Sequence, residues 1–146
     1  MKKIFILLGI LLLLGCTNTM NTPTSKVENF LSKYQNLDKN VLTDIDRYLD
    51  KNKSLSKNDK KIYKEVLQRQ YQNLSYKIKN EEIDRTVSII DVEIEVLDYR
   101  NKKIKELKTV EDRIKYDITF YLNKENGLWT LENLSRDDYL KINGLY

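Results

Sequence analysis

From Lys26 onward the apolar residues Val27, Phe30, Leu31, Tyr34 and Leu37 recur at the spacing that places them on one face of a helix. Ser25 followed by Glu28 reads as its capping box. A second helical stretch carries Val41, Leu42, Ile45, Tyr48 and Leu49. After the polar break KNKSLSKND, Ser56 with Asp59 offers an N-cap for a third, with Ile62, Tyr63, Val66, Leu67, Tyr71 and Leu74 in phase. The period then falls to two. Tyr76 and Ile78 alternate with lysines up to a turn at Asp84-Arg85. SIIDVEIEV puts Ile90, Val92, Ile94 and Val96 on one side and Asp91, Glu93 and Glu95 on the other, a strand with one buried face.

RIKYDITFYL repeats that alternation with Ile114, Tyr116, Ile118, Phe120 and Leu122 inward. NKENG places Gly127 where a turn needs positive φ, and LWTLENL returns with Trp129 and Leu131 on the same side. Ser135 caps a short last helix ending near Gly144. In NKKIKELKTVED the apolar positions Ile104, Leu107 and Val110 are too sparse for a full helix, so this segment reads as a loop with one helical turn. Helices first and an antiparallel meander second is the order of an α+β fold: N-terminal helices packed on one face of a curved antiparallel sheet of about four strands.

The N-terminus follows a different pattern. Met1-Lys2-Lys3 precedes Ile4–Leu14, eleven residues that are all apolar apart from Gly9, and then Gly15 and Cys16. This is a signal in three parts. A spanning helix needs about 20 apolar residues, so the run is too short for a permanent anchor. Cys16 is the only cysteine. An ordinary signal with a leftover thiol would expose an unpaired cysteine in an exported protein, and this one lies where a lipidation site would.

Leu13-Leu14-Gly15-Cys16 resembles the bacterial lipobox, with Leu14 departing mildly, because smaller residues are commoner there. The resemblance implies cleavage after Gly15 and a diacylglyceryl group on the Cys16 sulfur; two acyl chains suffice for stable anchoring. The expected organisation is a lipoprotein signal peptide over residues 1–15, a lipidated tether over 16–25 (TNTMNTPTS after the cysteine) and a single α+β domain over 26–146. The expected location is the extracytoplasmic side of a cell membrane.

PTSKVENFLSKYQNLD, YKEVLQRQYQNLSYKI, VEIEVLDY and YDITFYLNKENGLWTLENLSRDDYLKINGLY together resemble a group of uncharacterised Firmicute-type lipoproteins with a cone domain like that of nuclear transport factor 2, a neighbour of the cystatin-like fold. The resemblance covers most of the mature chain and rests on helix and strand texture. It implies a cone-shaped α+β domain and brings no established activity. The segment after DY is longer in those relatives, so residues 100–112 look like a deletion.

Charge and residue types narrow the chemistry. Lys2 and Lys3 leave with the signal, so of 26 Lys and Arg against 22 Asp and Glu the mature chain keeps a surplus of two, with both signs interspersed. That is a solvated surface, and no nucleic-acid partner is expected. There is no histidine, which excludes His-based acid–base catalysis, His triads and ordinary zinc sites. No cofactor or metal is expected. Asp91, Glu93 and Asp117 are the carboxylates to weigh as a buried base, yet all three fall out of phase with the apolar faces of their strands. The chain is therefore expected not to be an enzyme.

The stretches after Gln68, Gln70 and Gln72 lack the Gln-x-Val-x-Gly hairpin signature of cystatin-like inhibitors. Ten tyrosines are the strongest compositional feature. Tyr34, Tyr76, Tyr116, Phe120 and Trp129 are candidate lining for a cleft with polar handles; the alternative is that these rings fill the wide core of the cone. The expected function is a non-enzymatic binding or interaction module at the cell envelope. It would be anchored through Cys16, its partner an envelope protein or a small ligand. A structural accessory subunit of an envelope complex and, last, a cone-fold enzyme are the alternatives.

Overall fold

The computed structural model describes residues 21–146, and the expected signal peptide over residues 1–15 and the expected lipidation site Cys16 lie outside the described residues. Among the described residues three helices come first: α1 (Pro23–Gln35), α2 (Lys39–Lys51) and α3 (Lys57–Gln72). They are followed by β1 (Ser75–Asp84), β2 (Val87–Leu97), a 3-10 helix (Ile104–Thr109), β3 (Arg113–Glu125), β4 (Leu128–Leu131) and α4 (Arg136–Ile142). The strands form one antiparallel sheet in the order β1-β2-β3-β4. The fold is α+β, a helical layer over an open, curved meander.

Local chemistry sets the helix starts. α1 begins three residues ahead of Lys26, because Thr22 is the N-cap: its hydroxyl accepts from the Ser25 amide and the Ser25 hydroxyl accepts from the Thr22 amide. Pro23 sits in the first turn, where its fixed φ suits the helix and its missing N–H costs nothing. The capping box read at Ser25 and Glu28 is therefore corrected to Thr22 and Ser25, and residues 21–25 of the expected tether belong to the folded domain. Asp38 caps α2, Ser56 caps α3 and Ser135 caps α4.

The register places the inward residues of neighbouring strands side by side. Ile94 lies between Tyr76 on β1 and Tyr116 on β3, and Val92 between Ile78 and Ile118. An extra residue in β1 between Ile78 and Asn80 shifts the pairing, and Glu81 then faces Ile90. The core joins Ile90, Val92, Ile94 and Val96 with Ile118, Phe120, Leu122 and Trp129. From the helices it takes Val27, Leu31, Ile45, Leu49, Leu67 and Tyr71. Helix α1 packs on β2 and β4, α3 on β2, and α2 on the outer side of α3. Gln35 donates from Nε2 to the Leu74 carbonyl at 2.8 Å, tying the end of α1 to the start of the sheet.

A second, smaller cluster explains the segment between β2 and β3. Leu107 and Val110 are buried with Val66, Leu97 and Tyr99, so the 3-10 helix and the residue after it pack against the middle of α3 and the end of β2. Asp91, Glu93 and Asp117 lie on the uncovered outer sheet face. Asp91 accepts from the Thr119 hydroxyl at 2.8 Å, Glu93 pairs with Lys115 at 3.3 Å and Asp117 with Lys79 at 3.5 Å.

Candidate functional site

A concavity with a volume of about 370 Å³ lies among α1, α2, α3 and α4. That is within the usual range for small-molecule sites. Four tyrosines line it, one from each helix: Tyr34, Tyr48, Tyr71 and Tyr139. Val41, Ile45, Leu67 and Leu140 supply apolar wall, while Asp44, Arg136 and Asn143 bring polar groups to it.

The helical period builds this arrangement. Val41 and Ile45 are one turn apart on the buried side of α2, and Asp44 and Tyr48 are one turn apart beside them. Leu67 and Tyr71 have the same relation on α3. Helix α4 is short, and it brings Arg136, Tyr139, Leu140 and Asn143 to the opposite wall.

Two of the four rings are packed together, Tyr71 buried and Tyr34 half-buried, whereas Tyr48 and Tyr139 stand at the exposed rim. Tyr34 and Tyr71 meet edge to face, with centroids 4.9 Å apart and planes at 86°. Tyr34 also contacts Phe30 at 5.2 Å, and Phe30 meets Phe120 at 5.8 Å, so an aromatic chain runs from the cleft to the centre of the sheet. Such pairs add about 0.5 to 1.5 kcal/mol beyond the area they bury. The Tyr71 hydroxyl donates to Asn143 Oδ1 at 2.7 Å.

Burial pushes the phenols of Tyr34 and Tyr71 well above their ordinary range. For Tyr34 the neighbouring Tyr139, Tyr71 and Asp44 add to the shift; for Tyr71 the neighbours are Tyr48, Tyr139 and Asp44. Both therefore stay protonated at neutral pH and act as hydrogen-bonding groups, not as bases or nucleophiles. Asp44, the carboxylate of the cleft, is exposed and pairs with Arg47 at 3.3 Å. Among the described residues no group of three or more acidic or thiol side chains could hold a metal ion.

Of the five residues singled out as cleft lining, only Tyr34 lines this cleft. Phe120 is fully buried under Phe30 and Trp129 is buried on β4. Tyr76 and Tyr116 lie half-buried in one row of the sheet, at the margin of the core. The Tyr116 hydroxyl donates to the Tyr146 carbonyl at 2.8 Å, and the two rings stand edge to face at 5.9 Å. The sheet face is filled by the helices resting on it, so the opening forms where helices meet one another. Tyr71 and Tyr48 carried a sequence signal, as helical apolar-face residues; Tyr139 and Asn143 carried none.

The chain matches no family model, no curated protein and no solved structure. Among the described residues no helix is long and apolar enough to cross a membrane.

Proposed function

We propose that the chain is a lipid-anchored, extracytoplasmic binding module, not an enzyme, and that the cleft among the four helices takes a small ligand with an apolar body and hydrogen-bonding groups. The observation that carries this reading is the convergence of Tyr34, Tyr48, Tyr71 and Tyr139 on one cavity of ligand size. Apolar walls with a few fixed polar groups suit a ligand held by shape and oriented by hydrogen bonds. The buried phenols of Tyr34 and Tyr71 stay protonated and the Asp44 carboxylate is solvent-exposed at the cleft, not desolvated within it, which supports binding over catalysis. The signal-like N-terminus and the lipobox resemblance at Cys16 support the anchor, and the helices-then-meander order agrees with the resemblance to lipoproteins with a nuclear-transport-factor-2-like cone domain.

The test is native mass spectrometry of the full chain extracted from its own host in mild detergent. A bound small molecule should appear as an adduct, and Leu140→Trp, which fills the cleft from its wall, should remove it. Protein that carries no adduct from the native membrane, or an adduct that survives Leu140→Trp, would overturn the cleft as the site.

A further inference from the structure

We propose that the sheet end carrying the β1–β2 and β3–β4 turns rests on the phospholipid surface, so that Leu128, Val87 and Tyr121 contact the bilayer interface. The inference rests on the anchor at Cys16 proposed above and adds the orientation of the domain.

Both turns lie at the same end of the meander. Val87, which opens β2, pairs with Asn123 near the end of β3, and the Lys124 amide donates to the Thr86 carbonyl at 2.8 Å. The N-terminal segment is tied to this end. Asn21 donates from Nδ2 to the Gly127 carbonyl at 3.0 Å and accepts at Oδ1 from the Trp129 amide at 3.3 Å, so its side chain occupies the free edge of β4.

Five peptide steps separate Cys16 from Asn21, and covalent geometry limits them to about 19 Å in any conformation. The sheet is about twice as long, since thirteen residues of β3 at about 3.4 Å each span roughly 44 Å. An acyl anchor at Cys16 therefore holds the turn end close to the bilayer.

The surface changes character at this end. Over most of its length the outer sheet face is charged or polar, with Asp91 beside Thr119, Glu93 beside Asp117 and Glu95 beside Lys115. Toward the turns the same face gains apolar side chains among the polar ones: Ile89 lies between Tyr121 and Glu82, Val87 between Asn123 and Asp84, and Leu128 at the tip beside Glu125. Val87, Tyr121 and Leu128 are 44%, 49% and 58% exposed. The start of α1 covers only the inner side at β4, and every β1 residue beyond Ile78 is exposed. This end carries Glu81, Glu82, Asp84 and Glu125 against Arg85 and Lys124, so contact with lipid rests on the apolar side chains and suits a headgroup surface without net negative charge.

The experiment uses the acylated full chain bound to phosphatidylcholine vesicles. Cys16 is the only native cysteine and its sulfur carries the lipid in this reading, so a cysteine introduced at Leu128 takes a single environment-sensitive dye. Lys102, exposed in the link at the opposite end of the sheet, gives the reference. The dye in L128C should be blue-shifted on vesicles and reduced by aqueous dithionite several-fold more slowly than the dye in K102C, while both react alike in detergent-free solution after the anchor is clipped. Equal rates on protein that floats with the vesicles would overturn the orientation and leave the anchor standing. Protein that carries no acyl group and does not float would overturn both.

Discussion

The side chain of Gln70 makes two reciprocal hydrogen bonds to the backbone of Leu97: Nε2 donates to the Leu97 carbonyl and Oε1 accepts from the Leu97 amide, each at 2.9 Å. Gln70 is fully buried, so a side chain from α3 does for the last residue of β2 what a neighbouring strand would do. Gln70→Leu keeps the volume and strands both Leu97 groups away from water. An unpaired buried donor or acceptor costs about 1 to 3 kcal/mol each. Chemical denaturation should show a loss of roughly 2 to 5 kcal/mol. Loss of less than about 1 kcal/mol would mean that water replaces the amide.

Gly144 sits against the same pair. Its φ is +69°, and a Cβ there would run into the Leu97 carbonyl oxygen and Gln70 Nε2, while its own carbonyl accepts from the Tyr99 amide at 3.0 Å. Gly127, at φ +79°, has open space around it. Gly127→Ala should therefore cost only the left-handed penalty of about 1 to 2 kcal/mol, and Gly144→Ala that penalty plus overpacking, roughly 2 to 5 kcal/mol in all. Melting temperatures of the two variants rank them; equal losses would refute the crowding at Gly144.

Trp129 is the only tryptophan, is buried to 7% exposure in the main core, and has the Lys124 ammonium 5.5 Å from its ring centroid. Its emission should be blue-shifted relative to the free indole. Trp129→Ala should cost about 3 to 5 kcal/mol, a large part of the roughly 5 to 15 kcal/mol that holds a domain folded. A stable alanine variant with solvent-like wild-type emission would contradict the packing of β4 beneath α1.

The buried tyrosines set an alkaline limit. Burial raises the folded-state pKa of Tyr34 and Tyr71 above the ordinary value of 10.0, so the folded chain holds protons that the unfolded chain releases. Their contribution is complete below that value and falls away as the pH rises beyond it. Denaturation midpoints should hold up to about pH 10 and drop above it, with tyrosinate absorbance from these two rings appearing only as the domain unfolds. Tyr34→Phe should reduce that dependence, and an unchanged alkaline profile would count against burial as its cause.

At the N-terminus, Cys16→Ser should abolish acylation and, with it, cleavage after Gly15. The variant should lose the lipid-dependent mass increment and keep residues 1–15. A serine variant still cut after Gly15 and still in the detergent phase on partitioning would contradict lipidation.

Much of the architecture is written in local periodicity. Ile90 to Val96 and Ile118 to Leu122 alternate because one sheet face is buried, and that alternation alone separates inner from outer residues; the carboxylates Asp91, Glu93 and Asp117 fall outward accordingly. The Asp84-Arg85 and Asn126-Gly127 turns are equally local, with Arg85, Asn126 and Gly127 all at positive φ. Ser56 and Ser135 cap the helices that their spacing predicts. Even the start of α1, displaced from Ser25 to Thr22, was decided within four residues, by a proline and two hydroxyls.

The cleft could not be read this way. Tyr34, Tyr48, Tyr71 and Tyr139 come from four separate helices, and periodicity reports which side of an element is buried but not what faces it across a gap. Phe120 and Trp129 have the same apolar signature as cleft residues, yet the helices pressed on the sheet leave no room beside them. Gln70 looks in sequence like any polar residue on a helix. Only the approach of α3 to the end of β2 gives its amide two backbone partners, and only the C-terminal turn at Gly144 closes water away from them. Secondary structure and sidedness follow from neighbours along the chain, whereas cavities and buried polar pairs arise where distant elements meet, and three-dimensional packing decides those.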